Sequence, residues 1–235
     1  MNNLLEVKNL SKTYYTKEKE IKALDNISFK INKDDYIAII GPSGSGKSTL
    51  LSLLSGNEKE TCGNIIKKDN LKIGYMFQSD LLFEWLTVYE NCLLGLKISN
   101  DLTKENISNV IRLLKKYDLY EFKDNYPKSL SGGMRQRVAL IRTLVIKPDI
   151  LLLDEPFSKL DYQNRLIVSS DVINIIKNEK ISLILVTHDI NEAIRMCDRI
   201  IVFSKRPSVI KKEYIIKNDD YQKYYDMIWN DLYEK

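Results

Sequence analysis

One eight-residue segment restricts the fold of this chain more than any other. GPSGSGKS, residues 41–48, fits the pattern G-x-x-x-x-G-K-[S/T], and it lies between a predicted strand and a predicted helix. Glycines in such a loop let backbone N–H groups turn inward around phosphate oxygens, and the helix N-terminus adds the positive end of its dipole. The alternative is a glycine turn that matches by chance, which we expect in roughly one such chain in a hundred. The segment therefore predicts a P-loop, with a nucleotide bound by Gly41, Pro42, Ser43, Gly44, Ser45, Gly46, Lys47, Ser48 and Thr49.

The carboxylates expected to act with the P-loop follow a later strand. Within the loop, Lys47 would reach the β- and γ-phosphates and Ser48 would hold Mg²⁺. The apolar run ILLLD would deliver Asp154 to the sheet edge where ligands bind in open α/β folds, so that Asp154 would support the Mg²⁺ shell. Glu155 would polarise an attacking water. Taken alone, an apolar run that ends in two acids could also be a strand end meeting solvent.

Three further polar or aromatic positions are candidates for the same site. His188, the only histidine, follows the apolar run SLILVT and could donate to the γ-phosphate and the water, although a lone histidine is often structural or merely exposed. Gln78 follows IGYMF, and its amide could ligate Mg²⁺ or orient water. Tyr14 or Tyr15 could stack on an adenine ring, although a chain with 14 tyrosines offers many chance placements.

The order of predicted elements indicates an α/β fold. Short strands come first, and nearly continuous apolar strands return after Pro148, which is typical of parallel strands buried on both faces. Between them the apolar residues have helical spacing. We predict a single domain over residues 1–235 with a mostly parallel sheet, flanking helices and an antiparallel N-terminal β part. An inserted helical subdomain would occupy residues 80–146, and a short C-terminal extension would occupy residues 206–235.

Charge and hydropathy narrow the possible partners. The net charge is only +4 and the basic residues are scattered, so we expect no nucleic-acid partner. The longest apolar runs are too short to span a bilayer, and no signal peptide is predicted. Three widely spaced cysteines indicate reduced thiols, not a disulfide framework.

A second glycine-rich segment raises the question of why one chain would carry two phosphate cradles. This signature segment, LSGGMRQR at residues 130–137, places Ser131, Gly132 and Gly133 at the start of a predicted helix. With the P-loop, Gln78, LLLDEP, a D-loop SKLD at residues 158–161 and THD around His188, it resembles the ABC ATPases in order and spacing over nearly all of residues 4–205.

The resemblance implies a P-loop NTPase core and an answer to that question. Two cassettes would pack head to tail, with each ATP between the P-loop of one copy and the signature segment of the other. Ser131, Gly132 and Gly133 would then face the γ-phosphate held by the partner. The resemblance also implies that Tyr14 stacks on adenine, that Glu155 is the catalytic base and that Asp161 is a D-loop residue across the interface.

The chain is more similar to one subgroup, the nitrate/sulfonate/taurine-type import ATPases. The similar stretches are LTVYEN after Trp85, YPKSLSGGMRQRVAL, and DRIIVFSKRPSVI at residues 198–210, whereas Lys159 and Glu84 depart from the usual pattern. The resemblance implies an ATP-hydrolysing import subunit at the cytoplasmic face of the membrane, with a permease near Trp85, Leu86 and Tyr89 and a solute-binding protein as an indirect partner. The alternatives are a soluble ABC ATPase that acts on ribosomes or nucleic acid, and a small-molecule kinase. The kinase would leave the signature segment unexplained, and the soluble types carry coiled coils or two cassettes, which this sequence lacks.

Overall fold

Two β-sheets form the framework of the chain, whose computed structural model describes residues 3–217 and 220–233. The nine strands are β1 (Asn3–Tyr15), β2 (Glu20–Asn32), β3 (Tyr36–Ile40), β4 (Cys62–Lys67), β5 (Ile73–Met76), β6 (Ile150–Asp154), β7 (Ser182–Thr187), β8 (Arg199–Phe203) and β9 (Ile210–Ile215). One sheet is antiparallel, with the order β2-β1-β4. The other has the order β5-β6-β7-β3-β8-β9, in which the first five strands are parallel and β9 is antiparallel.

In the part of the chain that the structure describes, seven α-helices surround the sheets, and polar N-caps or glycine set several of their ends. They are α1 (Lys47–Ser55), α2 (Val88–Ile98), α3 (Lys104–Lys116), α4 (Gly132–Leu144), α5 (Tyr162–Asn178), α6 (Ile190–Met196) and α7 (Tyr221–Tyr233). Thr87 begins α2 with a capping box that includes Glu90, and Thr103 caps α3. Gly56 ends α1 in the left-handed conformation that glycine adopts without strain.

The parallel sheet is buried on both faces, which explains the continuous apolar sequence of its strands. Every residue of β6 and β7 is buried. One hydrophobic cluster packs α1 and the antiparallel sheet against one face, and the other packs α2 to α6 against the opposite face. The register pairs Ile40 with Thr187 and Asp154 with Val186, so β3, β6 and β7 end at the same edge. This edge positions the candidate site.

The predicted α/β architecture is confirmed, and the structure adds elements that the sequence patterns did not reveal. The strands predicted after Pro148 are present, and α2, α3 and α4 lie between β5 and β6. The added elements are β4, β9, α6 and α7. Most residues of β4 and β9 are exposed or half-buried, so these strands lack an apolar run. Within the described residues, no helix combines the length and the apolarity needed to cross a membrane.

Candidate functional site

The P-loop joins the buried end of β3 to the first turn of α1, and its glycines are required by the backbone. Gly44 and Gly46 have φ angles of 73° and 87°, in the region that side chains disfavour. A Cβ atom on Gly46 would also lie 3.1 Å from the carbonyl oxygen of Ala23. A Cβ atom on Gly41 would lie 2.9 Å from Cβ of Phe203. The loop is therefore packed against β2 at Gly46 and against β8 at Gly41, with no room for larger residues at these two positions.

Lys47 is a nearly buried cation that folds back over the loop. It is 6% exposed, and its Nζ donates to the carbonyl oxygens of Gly41 at 2.9 Å and Pro42 at 3.1 Å. Burial lowers the pKa of Lys47, and the negative charges of Glu155 and Asp154 oppose that shift. A buried ammonium group with only carbonyl partners is well suited to an incoming phosphate.

Asp154, the last residue of β6, is held by two hydroxyl groups. The Ser48 hydroxyl donates to Oδ1 at 3.0 Å, and the Tyr75 hydroxyl donates to Oδ2 at 3.1 Å. Burial raises the pKa of Asp154 and also that of Tyr75, because both charged forms would lose solvation. The predicted pair of Ser48 and Asp154 is therefore in contact. Tyr75 was not predicted as a site residue. The one feature of the sequence that could have indicated it is its place in the alternating pattern of the short strand β5.

Glu155 adopts an unusual backbone conformation beside the lone histidine. Its φ angle is 44°, and its N–H donates to the carbonyl oxygen of Val186 at 2.9 Å. Its Oε2 lies 3.2 Å from Nδ1 of His188, whose side chain is 56% exposed. A non-glycine residue held in this region is a recurrent feature of functional sites. The strained turn directs Glu155 towards the imidazole at the sheet edge.

A cavity of about 460 Å³ unites most of the predicted residues, and this volume lies in the usual range for ligand sites. The cavity is lined by Tyr14, Ile21, Ala23, Ser43, Gly44, Ser45, Gly46, Lys47, Ser48, Thr49, Gln78, Asp154, Glu155 and Arg206. Tyr14 is half-buried and its hydroxyl donates to Glu58 at 2.8 Å, whereas Tyr15 is 67% exposed and outside the lining. Arg206 was not predicted as a site residue. A cavity of about 430 Å³ at the opposite end of the sheet has no glycine loop.

Gln78 reaches this cavity from the segment that follows β5. Its Nε2 donates to the Ser158 hydroxyl at 3.2 Å, and that hydroxyl donates to the carbonyl oxygen of Glu155 at 2.9 Å. Gln78 thus belongs to the same polar network as the candidate base.

The oxygen donors at the cavity suit Mg²⁺. The part of the chain that the structure describes contains no group of three or more His, Cys, Asp or Glu side chains able to bind a metal by themselves. Mg²⁺ bound with substrate phosphates needs only one or two protein carboxylates. The adjoining hydroxyl of Ser48 and carboxylate of Asp154, with the amide of Gln78 on the same cavity, meet that requirement.

The signature segment lies outside this cavity. Ser131 caps α4 and accepts from the N–H of Met134 at 3.3 Å, and both Ser131 and Gly132 are exposed. Asp161 of the D-loop is also exposed and caps α5. A buried bond from Nε2 of Gln136 to the carbonyl oxygen of Pro156, at 2.7 Å, ties α4 to the loop after Glu155. The structure therefore does not bring the two glycine cradles together within one chain.

Comparison with known proteins identifies the family of this chain. The model of the ABC transporter family matches residues 24–158, which is more than half of the chain. The chain belongs to the ABC transporter family. It is 40% identical over 249 aligned positions to YtlC, an uncharacterized ABC transporter ATP-binding protein of Bacillus subtilis, and the match covers 98% of this chain and 96% of that protein.

Two further relatives carry names that specify import. The aliphatic sulfonates import ATP-binding protein SsuB of Bacillus cereus is 38% identical, with 92% of this chain and 86% of that protein covered. The nitrate import ATP-binding protein NrtD of Synechocystis is 37% identical, with 90% and 82% covered. The dimeric structure of a bacterial ABC transporter cassette is similar at a TM-score of 0.76 and 32% identity, with 92% of this chain and all of that chain covered. The chain is thus an ATP-hydrolysing ABC cassette.

Proposed function

We propose that two copies of this ABC cassette bind ATP between them, head to tail, and drive a membrane importer. The observation that carries this proposal is the separation of the two cradles. The P-loop lines a cavity with the candidate Mg²⁺ ligands and base, whereas Ser131 and Gly132 are exposed outside it. The start of an exposed helix is a favourable anion site, and a second copy would supply its phosphate. The similarity to a dimeric cassette supports this arrangement.

Within one copy, the cavity residues have distinct roles in binding. Tyr14 would stack on the adenine ring, and the backbone N–H groups of the P-loop would hold the phosphates. Lys47 would exchange its carbonyl partners for the β- and γ-phosphates. Mg²⁺, held by Ser48, Asp154 and Gln78, would supply positive charge that neutralises the phosphate oxygens as the bond breaks.

Glu155 and His188 would carry the hydrolytic step. Glu155 would accept a proton from the water that attacks the γ-phosphate, because its carboxylate lines the same cavity as Lys47, which would bind that phosphate. His188, 3.2 Å from Glu155, would orient that carboxylate and donate to the γ-phosphate. Asp161 and the signature segment would complete the site from the partner copy.

The region of residues 80–146 would receive the permease. Trp85 is 71% exposed and packs on Phe83 with ring centroids 4.9 Å apart, while Leu86 and Tyr89 are half-buried next to it. Exposed aromatic residues in such a cluster are typical of a protein interface. The chain just before Trp85 is anchored to α4, because Arg135 on that helix donates to both carboxylate oxygens of Asp80, at 2.8 Å and 2.9 Å.

The import relatives favour a small anionic or zwitterionic solute. Those relatives are named for sulfonates, nitrate and taurine, which also favours transport over a soluble cassette that acts on ribosomes or nucleic acid. We therefore place the chain at the cytoplasmic face of the membrane, bound to a permease. A solute-binding protein would deliver the solute, and this chain would not touch it.

A mixture of two inactive variants tests the head-to-tail dimer. Lys47→Ala removes the P-loop cation, and Ser131→Arg blocks the exposed signature segment with a bulky side chain. Each homodimer should be inactive, but a mixed dimer has one site with an intact Lys47 and an intact Ser131. Single-turnover hydrolysis should therefore reappear in the mixture, because only a shared site restores one complete set of residues.

Ser129→Arg is the matched control, because it places the same bulky side chain on an exposed serine two positions before the signature serine. This variant should retain activity as a homodimer. An inactive mixture in which mixed dimers are demonstrated would contradict the proposed sharing of sites.

A further inference from the structure

The loop between β8 and β9 is fastened to the P-loop. Ser208 in this loop is fully buried, and its hydroxyl donates to the backbone oxygen of Ser45 within the P-loop. The Ser208 N–H donates to the carbonyl oxygen of Ala23 at 3.0 Å, and the Ser208 carbonyl accepts from Asp25 at 2.8 Å. One contact to the P-loop and two to β2, all made by one buried serine, therefore fix the position of the loop at Ser208.

Arg206, two residues before this anchor, is presented to the nucleotide cavity. It belongs to the cavity lining together with Ser45, Lys47 and Glu155. Arg206 is exposed, and within residues 3–217 and 220–233 its guanidinium makes no ion pair or hydrogen bond. The adjacent Lys205 is also exposed but lies outside the cavity lining. The anchored loop thus gives the cavity a second cation beside Lys47.

We propose that the guanidinium of Arg206 binds the phosphate chain of the nucleotide, an inference that rests on the proposed nucleotide site. The anchor at Ser208 holds the loop beside Ala23 and Ser45, next to the part of the P-loop that cradles phosphate. A planar guanidinium can donate two parallel hydrogen bonds to one phosphate group. The adenine end of the cavity already has a cation, because Nζ of Lys12 lies 4.9 Å from the centroid of the Tyr14 ring. This favours the phosphate chain as the partner of Arg206.

This contact would act on binding and not on the chemical step. Arg206 lies beside the backbone that holds the phosphate chain, so the contact is present with ATP and with ADP. An interaction made equally in the ground state and the transition state changes KM and leaves kcat unchanged. Arg206 is accordingly a binding residue of the active site, distinct from Glu155 and His188.

Calorimetric titration of the full chain with ADP at low and high salt tests the proposal. Arg206→Ala should weaken ADP binding about tenfold at low salt, in line with one charge-assisted contact near the surface. The loss should shrink at high salt because exposed charges are screened. Arg206→Lys should recover part of the affinity, since it keeps the charge and loses the planar fork. Lys205→Ala is the matched control and should bind ADP within about twofold of the unmodified chain.

Three outcomes separate this inference from the site on which it rests. Unchanged ADP affinity in Arg206→Ala, together with a loss in Lys47→Ala, would overturn the role of Arg206 and leave the nucleotide site standing. Equal losses in Arg206→Ala and Lys205→Ala would overturn the direct contact in favour of a general charge effect. Unchanged affinity in Lys47→Ala would contradict the nucleotide site itself. Circular dichroism of each variant confirms the fold, which we expect to be retained because Arg206 and Lys205 are exposed.

Discussion

The P-loop and the signature segment are both rich in glycine and both begin a helix, but their surroundings differ. The P-loop is packed between strands, with Lys47 nearly buried and with Asp154 and Glu155 on the same cavity. At the signature segment, Ser131 and Gly132 are exposed, and Gly132 has a Cβ position 3.4 Å from the nearest side-chain atom, Cδ2 of Leu160. The P-loop therefore has a buried cation and two carboxylates beside it in its own chain, whereas the signature segment lies outside the cavity that these groups line.

This difference separates two kinds of phosphate site. A cradle with a buried cation and carboxylates can bind a nucleotide in a single chain. An exposed cradle that consists of a helix N-terminus and two glycines binds anions weakly on its own, because its only charge is the partial charge of the helix dipole. It becomes effective when another molecule positions a phosphate against it. The contrast supports hydrolysis that depends on two copies, and each of the following predictions tests one side of it.

The largest expected effect is on the hydrolytic step at the P-loop side. Glu155→Gln removes the base but keeps Lys47, Ser48 and Asp154, so it should slow hydrolysis by roughly 10²- to 10⁴-fold. ATP should still bind, and the variant should form a dimer with ATP because the shared phosphate is no longer cleaved. Single-turnover assays measure the first effect, and gel filtration with ATP measures the second.

Glu121→Gln makes the same change at an exposed acid and should behave like the unmodified chain. If Glu155→Gln binds ATP but stays monomeric at every nucleotide concentration, the role of the signature segment in a partner's site is contradicted.

The next effect concerns the coupling between the nucleotide site and the proposed permease surface at Trp85. Gln78 bonds to Ser158 near Glu155, Asp80 bonds to Arg135 of α4, and Trp85 is exposed beyond them. Trp85→Ala should lower solute uptake by the assembled importer about tenfold, as expected when a central aromatic anchor is lost from an interface. ATP hydrolysis by the isolated chain should stay within about twofold, because an exposed side chain contributes little to the fold.

The second tryptophan of the chain provides the matched control. Trp229 on α7 is also exposed, and Trp229→Ala should leave uptake unchanged. An equal loss of folding and hydrolysis in Trp85→Ala would instead show that Trp85 supports the fold and has no specific role in coupling.

The sequence predicted the P-loop, the strand that ends at Asp154, and the position of His188, because each depends on a local pattern. It could not predict that the Tyr75 hydroxyl bonds to Asp154 or that Arg206 enters the cavity, since strand pairing and the Ser208 anchor create those contacts. The strands β4 and β9 were missed because their faces are mostly exposed. The helix α7 was missed because Ile228 is its one fully buried residue, and tyrosines, which are also common in strands and on surfaces, make much of its remaining packing.

A pair of glycine substitutions compares the cradles directly. Gly46→Ala forces a side chain into φ 87° and against the carbonyl oxygen of Ala23, so we expect a loss of about 3 kcal/mol in the free energy of unfolding. The same variant should lose ADP affinity. Gly132→Ala lies at the first turn of α4 with ordinary contact distances, and it should not lower the free energy of unfolding.

Urea denaturation and ADP titration measure both effects. Gly132→Ala should also bind ADP normally as a monomer and yet hydrolyse ATP more slowly, because only the shared site is affected. Loss of ADP binding in the Gly132→Ala monomer would show that the signature segment serves its own chain.

The smallest expected effect concerns Glu192, a buried acid of α6 next to the sheet edge at which the P-loop and His188 lie. Glu192 accepts a hydrogen bond from Thr187, which precedes His188, and burial together with the nearby charge of Asp189 raises its pKa from 4.5 to about 7. The folded chain therefore binds more protons than the unfolded chain between pH 4.5 and pH 7. The contribution of this group to stability is most favourable below pH 4.5 and is lost as the pH rises to about 7. Glu192→Gln should flatten this pH dependence of the free energy of unfolding between pH 4.5 and pH 7, measured by urea denaturation at several pH values. Ser131→Ala changes only the exposed cradle and should keep the pH profile of the unmodified chain, because Ser131 is exposed and lies at the start of α4, whereas Glu192 is on α6. A Glu192→Gln profile identical to that of Ser131→Ala would show that Glu192 is already ionised in the folded chain, and the contrast between a buried and an exposed cradle would then not extend to the residues behind them.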